Sequence, residues 1–280
     1  MERVEAVRAA EAPGARRAEP RPSFAAAFTA MAWRQLLRFK TARSRVMNAI
    51  VFPLIWLVFF GLGWSAAFNL AGPMVSRLFG GLSYLEFLAP GIVVMSVFTG
   101  GFGSGLGIIW DREFGYFKEI LVSPAPRPAL LLGRLFGDSL TALIQGAIMA
   151  VLVSLVAGWP GAVPLLLGLA AAFVAAVASA AMGSFIALSM RSPEGFHMVV
   201  NLIMMPMLFI SGAFYPIDPL PAWLKAFAYI NPLYYAVDLA RGLMYGVHST
   251  PLLLDAVGLL AVTAVFTGAA VAKFSKTYIA

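Results

Sequence analysis

The chain has 280 residues, 61% of them hydrophobic and 12% charged, with no cysteine and a formal net charge of +7. A soluble domain carries roughly a quarter charged residues, so this composition excludes a soluble globular enzyme and reads as an integral membrane protein. Without cysteine there is no disulfide, thiolate metal site or Cys nucleophile.

Charges cluster in islands separated by runs of about 20 apolar residues, enough to cross roughly 30 Å of hydrocarbon as helix. The short-range alternation of a transmembrane β-barrel is missing from those runs. The expected fold is all-α, because helices satisfy their own backbone hydrogen bonds in lipid.

Residues 1–22, rich in Ala, Arg, Glu and Pro, read as a disordered cytoplasmic tail. Residues 23–45 read as an amphipathic interfacial helix: Phe24, Phe28, Met31, Leu36 and Phe39 recur at near-helical spacing. Arg34, Arg38, Lys40, Arg43 and Arg45 would meet anionic headgroups. The last few of these residues equally suit a plain stop-transfer flank. Residues 46–280 read as one transmembrane domain, with spans at about 47–68, 85–109, 129–157, 162–190, 197–213 and 251–272.

Six spans put both termini on one side. Of the 20 Lys and Arg, all but Arg77, Lys225 and Arg241 then fall on that side, which the positive-inside rule makes cytoplasmic. The basic excess is therefore an orientation signal rather than a nucleic-acid patch. The location expected is the plasma membrane, multi-pass, with both termini in the cytoplasm.

Between spans two and three lies Asp111-Arg112-Glu113-Phe114-Gly115-Tyr116-Phe117-Lys118-Glu119-Ile120-Leu121-Val122-Ser123-Pro124. It is too polar for hydrocarbon and too short to fold alone. Its interleaved charges and aromatics suit a short amphipathic helix that contacts a soluble partner. A solvated loop with interfacial aromatics is the competing reading. Arg191, Ser192, Pro193 and Glu194 form a second, tighter polar loop on the same side.

No Gly-x-x-x-x-Gly-Lys-Ser/Thr stretch occurs, so the chain is not expected to hydrolyse ATP. His197 and His248, its 2 histidines, lie outside any metal-ligand spacing, and neither a metal nor a catalytic residue is expected. Ser104 sits among Gly101, Gly103, Gly105 and Gly107, at the spacing that lets helix backbones approach. Arg134 and Asp138, four apart, pair or snorkel. Glu86 and Asp255 begin their spans at the outer surface, where ordinary solvation suffices.

Four segments together resemble the permease subunit of ABC-2 type exporters, the daunorubicin-resistance-type multidrug group in particular. They are Leu88-Ala89-Pro90-Gly91-Ile92, the Asp111–Pro124 insert, Ser211-Gly212-Ala213-Phe214-Tyr215-Pro216 and Asn231-Pro232-Leu233-Tyr234-Tyr235-Ala236-Val237-Asp238. The resemblance covers roughly residues 25 to 275. It implies that Asp111, Arg112, Glu113, Phe114, Gly115, Tyr116, Phe117, Lys118 and Glu119 form a coupling helix docked on a separate ATPase. ATP and Mg would be held by two copies of that partner, with none on this chain.

The resemblance further implies a second permease copy, membrane lipid as surroundings and a re-entrant outer hairpin. A plain aromatic belt is an equal reading of Trp223, Phe227 and Tyr229. Met95, Phe98 and Phe102 in span two, and Met204, Met205 and Phe209 in span five, are candidate pathway walls, although packing also accounts for each. The cargo implied is a hydrophobic or amphipathic compound. The alternatives are lipo-oligosaccharide or polysaccharide export, a secondary carrier or channel without an ATPase, and an assembly subunit with no pathway.

Overall fold

The computed structural model describes residues 22–41, 51, 54–70 and 77–277, and among these every regular element is helical. The tail expected over 1–22 and the start of the first span lie almost wholly outside the described residues, as do Arg43 and Arg45.

Helix α1 runs Phe24–Thr41, with Ser23 Oγ accepting the Ala26 N–H at 3.2 Å. Helix α2 spans Leu54–Phe68 and widens to π-helical winding over Leu57–Trp64. Trp56, Phe60, Trp64 and Phe68 recur every fourth residue along it, each ring 5.0–5.9 Å from the next. Phe214 packs against Trp56 and Phe60, so this ladder joins α2 to the segment around residue 214.

The bundle is built around α3, Tyr84–Gly103, and its short continuation α4, Leu106–Glu113. A reciprocal cap starts α3: Glu86 N–H donates to Ser83 Oγ, and Ser83 N–H donates to Glu86 Oε2. Helices α5, Tyr116–Val122, and α6, Arg127–Ala157, follow. After the turn at Gly158–Gly161 comes α7, Ala162–Ala187, and then α8, Pro193–Phe209. Two short helices, α9 (Ala222–Ile230) and α10 (Pro232–Tyr245), meet at Asn231. The last helix is α11, Leu252–Ser275.

Four described helices are long and apolar enough to cross a membrane: Tyr84–Glu113, Arg127–Ala157, Ala162–Ala187 and Leu252–Ser275. The α3–α4 unit is the centre and is largely buried, whereas α11 lies at the periphery with little of its apolar stretch covered. Close approach explains the centre. A methyl group on Gly105 would collide with the Gly183 carbonyl of α7, and one on Gly101 with the Ser179 hydroxyl. The opposite glycine, Gly103, faces open space, so the Gly101/Gly105 pair makes the contact. Ser104 sits at the junction of α3 and α4.

Boundaries shift in informative ways. The second span keeps its helix through Glu113, so the first three residues of the polar insert are its last turn. The helix expected as a fifth span, over 197–213, begins at Pro193, because Ser192 Oγ accepts the Gly195 N–H at 3.2 Å and caps it early.

Candidate functional site

The polar insert folds as a turn and a short helix. Phe114 ends α4, and Gly115 adopts φ 82°, in the left-handed region. That conformation costs a residue with a side chain about 1–2 kcal/mol, which accounts for glycine there. Pro124 and Pro126 then set the approach to α6.

Seven helical residues do not hold together alone, so α5 depends on its packing. Phe117 and Leu121, one turn apart, are buried. The Phe117 ring meets Phe274 edge-on at 5.9 Å. The Arg112 guanidinium lies 5.2 Å from the Phe117 centroid and donates to the Met190 carbonyl at 2.7 Å. Arg127 ties the base of α6 to the end of α11, donating to the Ser275 and Thr277 carbonyls at 2.8 and 3.1 Å. The other face of the insert is open: Phe114 is 72% exposed, Tyr116 53% and Val122 66%. Glu113, Lys118 and Glu119 are exposed beside them.

Asp111 belongs to neither face. It is 2% exposed and turned into the bundle. Arg134 Nη1 of α6 donates to Oδ2 at 2.5 Å, Arg34 Nη2 of α1 to Oδ1 at 3.0 Å and Arg38 Nη1 of α1 to Oδ1 at 3.1 Å. Arg134 also lies 3.7 Å from Asp138, the pair its spacing suggested. A carboxylate this deep needs such partners, and these partners fix α1 and α6 against the last turn of α4. In sequence Asp111 reads as one more solvated charge of the insert. Its partners at positions 34, 38 and 134 are too distant in the chain for spacing to reveal them.

Arg191, Ser192 and Glu194 are exposed and Pro193 half-buried, on the loop whose Met190 carbonyl Arg112 holds. Lys273 bonds Ser189 Oγ from the other side. The insert, the Arg191 loop and the base of α11 therefore form one continuous surface. Among the candidate wall residues, Met95, Phe98 and Phe102 pack inside the chain's own core, as does Met204, while Met205 and Phe209 are exposed on α8.

At the far end of the bundle a second polar cluster overturns one expectation. Asp255, expected to be solvated at the start of its span, is 0% exposed. Arg241, also buried, donates to the Phe87 and Gly212 carbonyls at 3.2 and 2.7 Å and stacks 3.7 Å over the Phe87 ring. Asp238 accepts the N–H groups of Ser249 and Thr250. The signal in the sequence was an Asp238–Arg241 spacing of one helical turn.

Long apolar helices around a glycine-packed centre, with a short helix packed against one end, define a helical membrane protein. The chain belongs to the ABC-2 type transporter family, a family of transport permeases, whose membrane domain matches residues 26–245. It is similar to the protein named transport permease ycf38 of Cyanophora paradoxa, 31% identical over 210 residues that cover 74% of this chain and 70% of that one. Nodulation protein J of Rhizobium leguminosarum bv. trifolii is 30% identical over 209 residues, 74% of this chain and 76% of its own. The daunorubicin resistance ABC transporter permease protein DrrB1 of Streptomyces coeruleorubidus is 29% identical over 220 residues, 76% and 73% of the two chains.

Proposed function

We propose that the chain is the membrane subunit of an ATP-driven exporter in the plasma membrane, with both termini in the cytoplasm, that moves a hydrophobic or amphipathic compound outward. Energy comes from a separate ABC ATPase docked on the insert. The single observation that carries this reading is the two-sidedness of α5. Phe117 and Leu121 anchor it to the bundle, and Phe114, Tyr116, Lys118, Glu119 and Val122 are left outward with no described partner side. Aromatics beside paired charges are what a specific protein contact uses, and Arg191 to Glu194 extend the same surface. The anchored base explains how docking does mechanical work: a push on α5 passes through Phe117 to the α11 base and through Asp111 to α1 and α6.

Six spans follow if α2 and α8 also cross the membrane, and a second copy completes the pathway. Support comes from α8, which buries only Phe196, Met204 and Leu208 in this chain. Its exposed stripe includes Met198, Asn201, Leu202, Met205 and Phe209. A mid-helix amide such as Asn201 is costly against lipid tails, which favours a partner copy or a pathway on that side. Met205 and Phe209 are then the wall residues of span five, and α9 with α10 is the outer hairpin. Cargo must bind the inward- and outward-facing states unequally for nucleotide turnover to drive it. The likeness to a daunorubicin resistance permease favours a drug-like cargo. Lipo-oligosaccharide or polysaccharide export is the second reading.

The test is co-purification with the ATP-binding subunit. Phe114→Ala with Tyr116→Ala abolishes it while the permease stays folded. Retention of the complex in that double variant refutes the docking face.

A further inference from the structure

We propose that Asp255 is a buried protonation site: a carboxylic acid whose proton latches the outer end of α11 to α10 through Thr250. The Thr250 hydroxyl lies 3.0 Å from Asp238 Oδ2 and in short contact with Asp255 Oδ1. A hydroxyl owns one hydrogen and accepts with its lone pairs, so it satisfies one carboxylate as donor and not both. The second contact needs a hydrogen that a carboxyl group must bring.

The surroundings decide which carboxyl group carries it. Asp238 accepts the Ser249 N–H at 3.0 and 2.9 Å and the Thr250 N–H at 2.9 Å, and Arg241 lies 3.8 Å away. Its charge is met. Asp255 is 0% exposed, and its second oxygen, Oδ2, has no hydrogen-bond partner among the described residues. The start of α11 favours an anion, yet the loop N–H groups that would serve one go to Asp238. An ionised carboxylate with a bare oxygen in the interior is the costly alternative, and such a group neutralises instead. The chain of donors is therefore Asp255 carboxyl to Thr250 Oγ1, and Thr250 hydroxyl to Asp238.

The other groups facing the pair are Tyr234, Tyr235 and Arg241 from α10. Tyr234 adds its hydroxyl to the Thr250 side, and His248 sits exposed on the connecting loop. None of these supplies Asp255 with a counter-charge as Arg241 does Asp238. Loss of the proton places two anions around one hydroxyl and frees the outer end of α11 from the hairpin. Below the pH at which Asp255 ionises in the fold, the folded state binds more proton than an unfolded aspartate, so stability falls as pH rises through that interval.

Infrared spectra of the full chain in lipid test this directly. A carboxylic-acid carbonyl band at neutral pH, absent in Asp255→Asn, is expected, together with an unfolding midpoint that falls with rising pH in the parent and not in the variant. A parent spectrum with no band that Asp255→Asn removes overturns the proposal. So does loss of the band on adding sodium or calcium at neutral pH, which makes the pair a cation site. Should Asp255→Asn not fold, Thr250→Val serves instead: the band moves to higher frequency as the acid loses its acceptor, and an unmoved band is contrary.

Discussion

Replacing Asp111 by asparagine removes one charge and almost none of the side chain's shape. Three guanidinium groups lose their common partner, but unequally. Arg34 and Arg38 are each 31% exposed and can turn to water, so each pair contributes about 0–1 kcal/mol, as exposed pairs do. Arg134 is 4% exposed and, among the described residues, keeps Asp138 at 3.7 Å as its remaining acid. Stripping one partner from a buried pair costs about 3–5 kcal/mol, and the remaining Asp138 places the expected loss near the lower end, about 3 kcal/mol. At roughly 2–4 °C per kcal/mol this lowers the unfolding midpoint on the order of 10 °C. The assay is thermal unfolding in one detergent, comparing Asp111→Asn with Arg34→Ala and Arg38→Ala. The expected order is a large loss for Asp111→Asn and losses within about 1 kcal/mol for each exposed arginine. Asp111→Asn unfolding with the parent, or Arg34→Ala costing as much, refutes the claim that this carboxylate joins α1, α4 and α6.

Other substitutions read the remaining joints. Gly115→Ala forces a side chain into the left-handed region at φ 82° and is expected to cost about 1–2 kcal/mol, with Gly115→Asn costing less because asparagine tolerates that region; unfolding midpoints check the order. Gly105→Ala drives a methyl group into the Gly183 carbonyl and should destabilise by about 1–3 kcal/mol, whereas Gly103→Ala, facing open space, should be neutral or slightly stabilising in the same assay. Arg241→Met leaves Asp238 without its cation and the Gly212 carbonyl without its donor, and a loss of about 3–5 kcal/mol is expected.

Much of the bundle was written in local sequence. Apolar runs bounded the long helices, Gly101 and Gly105 announced a close crossing, and Gly115 marked the break that starts α5. Arg134 and Asp138 face each other because four residues make one turn. Long-range burial is what escaped. Asp111 and Asp255 both look like surface charges when read beside their neighbours in the chain. Their partners come from residues 34, 38 and 134 in one case and from a loop that doubles back onto α10 in the other. The insert's two faces were half legible: helical spacing groups Phe117 with Leu121, but only the packing of Phe274 shows that this side points inward.

Because the chain has no cysteine, a single thiol at Lys118→Cys reports on the proposed docking face without background. The account predicts that this thiol crosslinks to an ATP-binding subunit and stays unlabelled by an impermeant reagent added outside intact cells. Labelling from outside, or no crosslink to such a subunit in assembled membranes, contradicts it.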